Sequence, residues 1–262
     1  MRVHMPRVGG EAYRDAPAAD FEKLATIDTF GRHVPVDDPR EADCILFTQC
    51  HVIDWRLRAI RRHPVLKAYR DRCLVYDIRD TPWLSLPGVY VSVPAGEFSP
   101  RSQRAWAYPY FADPAVRGSS VEPDLLFSFV GSRTARCRDV LFELRHPDAV
   151  VEEPRDFDFW SPSVPQRTRF NDVLVRSRFV LCPRGRGTSS FRLYEVLSAG
   201  RVPVIISDDW VPPHGPEWEK FSIRWPEGRT DGLVEHLESH GDRWASMSAE
   251  AASAYASHFA PE

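Results

Sequence analysis

Residues 182–195 combine glycines, arginines and hydroxyl side chains in one short run, Cys-Pro-Arg-Gly-Arg-Gly-Thr-Ser-Ser-Phe-Arg-Leu-Tyr-Glu. The run follows the apolar residues Phe179-Val180-Leu181 and leads into residues 193–200, which read as a helix that ends at a glycine. Main-chain N–H groups at the start of a helix carry partial positive charge, and arginines add full charge and paired donors. This chemistry suits an anion, and a phosphorylated ligand is its natural occupant.

A second loop of the same character follows another apolar stretch. Val130-Gly131-Ser132-Arg133 comes at the end of the run 125–130, and Arg136 and Arg138 follow it. Ligands of open α/β sheets lie beyond the carboxyl ends of the strands. We therefore expect the two loops to hold one diphosphate together. The alternative is a pair of ordinary strand-to-helix turns with solvated arginines.

Glu195 lies about one helical turn after the glycine-rich loop. A carboxylate matches the two vicinal hydroxyls of a ribose, which makes this residue a candidate nucleotide contact. The alternative is purely electrostatic, because a carboxylate near a helix N-terminus is stabilised there in any case.

We expect an acid–base group among the polar side chains that follow the strands of the first half. Asp77 and Asp80 come directly after an apolar strand and are the candidate catalytic bases, although an aspartate in such a place can also simply cap a loop. The candidates for the acceptor side are His51, Trp83, Asp208 and Asp209. No Asp-x-Asp pair directly ends a predicted strand, so we expect neither a metal ion nor another cofactor.

The apolar residues alternate between strand and helix patterns, which predicts an α/β fold with parallel sheets. The predicted strands are residues 42–48, 73–77, 89–93, 125–130, 149–152, 178–181, 202–206 and 221–225. The predicted helices are residues 55–69, 136–145, 166–176, 193–200, 230–239 and 243–258. A linker in 94–123 divides the pattern into two α/β domains, 1–115 and 116–242, followed by a C-terminal helix in 243–262.

The bulk composition excludes several classes of protein. The chain has 262 residues, which is enough for two small domains. Its net charge is −3, whereas a general nucleic-acid-binding surface is positively charged. Its five cysteines are odd in number and lack Cys-x-x-Cys spacing, and neither a long apolar run nor a signal peptide is evident. We therefore expect a cytoplasmic protein that binds no nucleic acid and makes at most a peripheral contact with a membrane.

The motifs of the second half occur in the order that is typical of one enzyme family. The segments that carry the likeness are Val130-Gly131-Ser132, the arginine-rich 133–138, Ser177 to Gly185, Ser190 to Glu195, Ala199-Gly200 and Pro203 to Asp208. Over about a hundred residues this pattern resembles the exostosin-type glycosyltransferases of family 47. The first half is similar to that family only loosely.

The resemblance implies a GT-B fold, in which two Rossmann-like domains, here 1–115 and 116–242, face each other across a cleft. It also implies that the C-terminal helix, 243–262, packs back on the first domain. It further implies an inverting transfer of a sugar from a nucleotide-sugar donor, usually a UDP-sugar, to a saccharide, glycolipid or metabolite hydroxyl. The donor-binding residues would be Gly131, Ser132, Arg133, Arg138, Arg184, Gly185, Ser189, Ser190, Arg192 and, on the ribose, Glu195. Two alternatives are a catalytically inactive nucleotide-sugar-binding module and another Rossmann-type sugar-nucleotide enzyme. The second would normally show Gly-x-Gly-x-x-Gly near the N-terminus and a Tyr-x-x-x-Lys pair, and the sequence has neither.

Overall fold

The computed structural model describes residues 1–8, 17–28, 31–48, 50, 54, 56–109, 113–155 and 162–260. The chain forms two compact units. Met1–Tyr110 and Asp209–His214 belong to the first, and Phe111–Asp208 and Gly215–Ala260 belong to the second. None of the helices in these ranges has the length and apolar character that a membrane crossing needs.

The first unit is built on a six-stranded parallel sheet with the order β2-β1-β3-β4-β5-β6. Its strands are β1 Arg2–His4, β2 Val34–Pro35, β3 Cys44–Phe47, β4 Cys73–Asp77, β5 Gly88–Tyr90 and β6 Gln103–Ala105. Its helices are α1 Pro17–Ile27, α2 Arg58–Arg62 and α3 Pro64–Ala68. The sheet core contains fully buried Ile45, Phe47 and Tyr90. β6 lies within the predicted linker, so that prediction was wrong over these residues.

Two short helices form in the segment 55–69, where the sequence predicts a helix that Pro64 would break or restart. Pro64 has no N–H to continue a helix from α2, and His63 before it is extended (φ −62°, ψ 134°). The His63 side chain then accepts a hydrogen bond from the N–H of Val65 and caps α3. Pro64 therefore causes the break between α2 and α3.

The second unit is built on a five-stranded parallel sheet with the order β11-β10-β9-β7-β8. Its strands are β7 Leu125–Val130, β8 Ala149–Glu152, β9 Ser177–Pro183, β10 Val202–Ile206 and β11 Ile223–Arg224. Its helices are α4 Val164–Val175, α5 Phe191–Ser198, α6 Leu233–Ser239 and α7 Trp244–His258. Two parallel α/β units confirm the predicted fold class.

The strand order of the second sheet reverses direction between β7 and β9. The chain leaves β7 for β8 on one side, and α4 then returns it to β9 on the other side. Such a reversal is the topological switch point of an open α/β sheet, where ligands bind beyond the carboxyl ends of the strands. The two predicted anion-binding loops follow the two strands that meet at this point.

One predicted helix of the second unit differs from the structure observed. The segment 136–145 forms two 3₁₀ turns, Arg136–Arg138 and Val140–Glu143, in place of an α-helix. The C-terminal helix α7 belongs to the second unit, in which it packs against α5, β9 and β10. Met247, Ala251 and Tyr255 recur at every fourth position and form its buried face.

Candidate functional site

The loops after β7 and β9 lie side by side because their strands are paired in the sheet. The loop after β7 begins at Gly131, and the loop after β9 begins at Arg184. A third segment, after β10, is bonded to the second loop, since Ser207 Oγ donates to the carbonyl of Thr188 at 2.8 Å. The site is therefore assembled from the ends of three neighbouring strands.

Arg138 joins the two loops through main-chain carbonyls. Its Nη1 donates to Ser132 at 3.0 Å, and its Nε donates to Arg184 at 2.8 Å. Its Nη2 donates to Pro183 at 3.2 Å, and the side chain is only 9% exposed. Arg138 therefore links the two loops through hydrogen bonds to their carbonyl groups. The sequence analysis predicted it as a donor-binding residue.

Arg192, in the first turn of α5, has few hydrogen-bond partners. Its guanidinium lies over the rings of Phe129 and Phe170, with centroid distances of 4.8 Å and 5.6 Å. Nη2 donates to the carbonyl of Val130 at 2.5 Å. The buried Nε and Nη1 have no hydrogen-bond partner among the described residues. A buried cation with two unpaired donors is costly in free energy, so an anionic group is expected to pair with it.

The electrostatic surroundings of Arg192 agree with this interpretation. Loss of hydration lowers the pKa of its guanidinium, and Cys182 and Glu195 offset part of that effect. The only neighbouring carboxylate that influences this pKa is that of Glu195, which forms no ion pair with Arg192 in the described structure. The residue therefore remains a cation whose charge the fold does not neutralise by direct contact.

The absence of a side chain at Gly131 leaves room for the guanidinium of Arg192. A Cβ atom at position 131 would lie 2.8 Å from Nη2 of Arg192 and 3.2 Å from the ring of Phe129. The N–H of Gly131 donates to the carbonyl of Glu152 at 3.0 Å, so it is already occupied. The function of this glycine is thus to admit the guanidinium, and not to offer its own amide to a ligand.

The start of α5 adds further polar groups beside Arg192. Ser190 is the N-cap residue of this helix, but its side chain makes no capping hydrogen bond. The buried Oγ of Ser189 has no partner in the part of the chain that the structure describes. An uncapped helix start with a spare hydroxyl is a site at which an anion can be bound by main-chain and side-chain donors.

The remaining predicted donor-side residues have other contacts. Arg184 donates from Nε to Glu227 at 2.8 Å, and its side chain is 31% exposed. Arg133 is exposed and pairs with Glu153 at 2.9 Å and Asp139 at 3.1 Å. A Cβ atom at Gly185 would lie 3.6 Å from Arg138 Nη2 and from Thr134 Oγ1, which is ordinary van der Waals contact. Arg186, which the sequence places in the same loop, is exposed.

Glu227 is a site residue that the sequence did not single out. Besides Arg184, its carboxylate accepts from the N–H of Asp208 at 3.1 Å, and its own N–H donates to Asp208 Oδ1 at 3.1 Å. Glu227 follows β11 by three residues, which puts it at the same sheet edge as the loops after β9 and β10. Its position after a strand was the signal that could have found it.

In the first unit, Asp77 forms a buried ion pair. Its side chain is fully buried, and its two oxygens accept from Arg79 Nε at 2.8 Å and Nη2 at 2.5 Å. Arg79 also donates to the carbonyl of Asp54 at 3.3 Å and is only 5% exposed. Asp77 thus has a structural role here and presents no exposed oxygen to an acceptor.

The other candidates of the first half have different surroundings. Asp80 is exposed, and Trp83 is half-buried with the guanidinium of Arg56 over its ring at 5.7 Å. Asp209 is exposed, and its carbonyl accepts from the N–H of Ala95 at 2.9 Å. His51 lies outside the described residues. Within the described ranges, no three His, Cys, Asp or Glu residues are grouped so that they could hold a metal ion.

Comparison with known proteins identifies the family to which these parallel α/β units belong. The family model of the Exostosin GT47 domain matches residues 55–240. The chain therefore belongs to the exostosin GT47 family of glycosyltransferases, as the motifs indicated.

Individual relatives are similar over shorter stretches. The chain is 36% identical over 104 residues to an exostosin-1 homolog of Caenorhabditis elegans. This matched stretch covers 39% of the chain and 25% of that protein. It is 37% identical over 62 residues to a probable glycosyltransferase of Arabidopsis thaliana, and this stretch covers 23% of the chain and 12% of that protein. The chain thus spans a quarter or less of the length of these curated relatives.

A solved structure of Anabaena HepE in complex with UDP is also similar. The structural alignment covers all of the chain and 96% of HepE, with 10% sequence identity and a TM-score of 0.44. This score is too low for the likeness to carry an argument about ligand or mechanism.

Proposed function

We propose that the protein is an inverting glycosyltransferase that moves a sugar from a nucleotide-sugar donor to a hydroxyl group. The observation that carries the proposal is the pair of buried nitrogens of Arg192 that have no partner among the described residues. They lie near the unpartnered Oγ of Ser189, at the switch point of the second sheet. Membership of the exostosin GT47 family supports the same reaction class.

The donor diphosphate is assigned to the start of α5. Arg192 Nε and Nη1 and Ser189 Oγ would donate to the phosphate oxygens, and the positive end of the α5 dipole would favour their charge. Exposed Arg186 can add charge from the solvent side. Glu195, one turn further along α5, would accept hydrogen bonds from the ribose hydroxyls. A UDP-sugar is the proposed donor.

Transfer breaks the bond between the anomeric carbon and the donor phosphate while the acceptor oxygen attacks the opposite face of that carbon. Negative charge grows on the departing diphosphate, and the donors around Arg192 stabilise it. Because cationic side chains and a helix N-terminus supply this stabilisation, we propose that the reaction needs no metal ion and no other cofactor. Activity that persists after EDTA treatment would support this part of the proposal.

The acceptor hydroxyl must lose a proton during the attack. We propose Asp80 as the base that takes it, because Asp80 is exposed whereas Asp77 is occupied by Arg79. The acceptor is a saccharide, glycolipid or metabolite hydroxyl. The five cysteines are free thiols, and we keep the cytoplasm as the proposed location.

The experiment is a thermal-shift series with UDP, GDP, dTDP and CMP, followed by hydrolysis and transfer assays with the matching nucleotide sugars. A ligand that binds only the folded state raises the melting temperature, and we expect UDP to give the largest shift. Glu195→Ala should remove most of that shift, whereas exposed Glu235→Ala on α6 should keep it. Tight UDP binding without turnover of any UDP-sugar would favour the inactive module instead.

A further inference from the structure

The helices α2 and α3 of the first unit carry a concentration of exposed positive charge. Five exposed cations lie on and just after these helices, and we call them the basic face: Arg58, Arg61, Arg62, Lys67 and Arg70. None of the five side chains forms a hydrogen bond or an ion pair with any residue that the structure describes. No described residue therefore neutralises these five charges, and the side chains are available to a binding partner.

The local charge contrasts with the rest of the chain. Residues 56–72 contain seven cations and one carboxylate, Asp71, which gives this stretch a charge of +6 in a chain whose net charge is −3. Some exposed arginines of the second unit are neutralised locally, as in the pairs Arg169–Glu152 and Arg176–Asp124. The basic face differs from these pairs because several cations lie close together with a single carboxylate among them.

The fold holds this face in a defined orientation. Ile60 and Leu66 are buried in the core of the first unit, which turns the opposite sides of both helices outward. Asp54 caps the start of α2 through the N–H groups of Arg58 and Ala59, at 2.8 Å and 2.7 Å. Arg58, Arg61 and Arg62 are spaced i, i+3 and i+4 and share one side of their helix.

We propose that the basic face docks the protein on an anionic lipid bilayer. A cluster of four to eight Lys and Arg residues on a helical surface is attracted to the negative surface potential of such a membrane. The overall negative charge of the remaining chain repels a polyanion that would wrap around the protein, but it does not prevent contact through one cationic side. Docking would be peripheral and is independent of the nucleotide-sugar chemistry.

A single-stranded nucleic acid fits the face less well. Such ligands need aromatic side chains on which successive bases can stack. The one aromatic residue among the five cations is Tyr69, which is half-buried and has the guanidinium of Arg72 over its ring at 4.7 Å. No stacking platform therefore accompanies the charge in this described segment.

The test is co-sedimentation of the full chain with vesicles, without any nucleotide. One set of vesicles contains neutral phosphatidylcholine alone, and the other also contains anionic phosphatidylglycerol. We expect binding only to the anionic set, with a loss of about tenfold or more when salt is raised to shorten the screening length. The variant with Arg58, Arg61, Arg62, Lys67 and Arg70 all changed to Gln should fall to the level seen with neutral vesicles.

A matched variant removes the same charge from other exposed positions by changing Arg101, Arg136, Arg155, Arg229 and Arg243 to Gln, and it should bind nearly as well as the wild type. Should the first variant not fold, two smaller ones replace it: Arg58→Gln with Arg62→Gln, and Lys67→Gln with Arg70→Gln, each with a partial loss. Equal binding of wild type to both vesicle types would overturn the proposal. So would equal loss in the matched variant, or retention of a short single-stranded DNA but not of vesicles.

Discussion

Gly131 lies directly against the guanidinium of Arg192, so that a Cβ atom at position 131 would stand 2.8 Å from Nη2. The two residues belong to different loops, after β7 and after β9, and the contact forms where the strand order reverses. The sequence suggested this glycine as a phosphate contact, but in the structure it makes room for the guanidinium of Arg192, which has two buried nitrogens without a hydrogen-bond partner among the described residues.

Gly131→Ala is therefore expected to displace Arg192 and to weaken nucleotide binding by about tenfold, since one charge-assisted contact is worth roughly 1.5–3 kcal/mol. Calorimetric titration with UDP measures the change. Gly96→Ala is the matched control, because a Cβ at that position meets nothing within 4 Å. Equal affinities for all three proteins would show that Gly131 does not position the donor site.

Arg138→Gln is expected to destabilise the second unit by about 2–3 kcal/mol. The substitution leaves the carbonyls of Ser132, Pro183 and Arg184 without their donor in a mostly buried position. Urea unfolding measures the loss. Arg136→Gln serves as the control, because Arg136 is exposed two residues away. A fully stable Arg138→Gln protein would mean that the loops hold together without these hydrogen bonds.

Asp77 and Asp80 are expected to separate into a structural and a chemical role. Asp77→Asn breaks a buried ion pair and leaves Arg79 uncompensated, which costs about 3–5 kcal/mol. Asp80→Asn should leave the unfolding free energy nearly unchanged and abolish sugar transfer. Chemical unfolding and a transfer assay on both variants test this assignment. A stable but inactive Asp77→Asn protein would instead make Asp77 the base.

Cys182 is expected to be inert despite its place in the glycine- and arginine-rich run. Burial raises the pKa of its thiol to about 12, so the thiol stays protonated at neutral pH. Native alkylation at pH 8, read by mass spectrometry, should spare Cys182 and modify half-buried Cys44 first. Because the folded-state pKa lies above the ordinary 9.0, Cys182 stabilises the fold fully below pH 9, and that contribution is lost as pH rises towards 12. Rapid labelling of Cys182 would contradict the burial.

The sequence predicted the second unit more fully than the first. Strands such as Leu125–Val130 and Val202–Ile206 are long apolar runs bounded by polar turns, and both were predicted with their observed limits. Arg2–His4, Val34–Pro35 and Gln103–Ala105 escaped prediction because strands of two or three residues have no readable period. Their place in the sheet is set by neighbouring strands instead.

The site was predictable as a set of loops but not as a set of contacts. Six arginines near the two strand ends look alike in the sequence. Arg138 donates to main-chain carbonyls and Arg184 pairs with Glu227, and of the six only Arg192 has buried nitrogens without a partner among the described residues. That distinction depends on side-chain packing across loops 46 to 62 residues apart. Glu227 was missed for the same reason, because its partners lie on other strands.

The most direct measurement is the melting temperature of wild type and of Arg192→Met, each with and without UDP. UDP at about 100 times its Kd should stabilise the wild type by about 2.7 kcal/mol, which raises the melting temperature by several degrees. Arg192→Met replaces a buried, incompletely paired charge by an apolar side chain, so we expect a melting temperature at or above that of the wild type without ligand, and no shift with UDP. A destabilised variant that keeps the full UDP shift would contradict the assignment of Arg192 to the donor diphosphate.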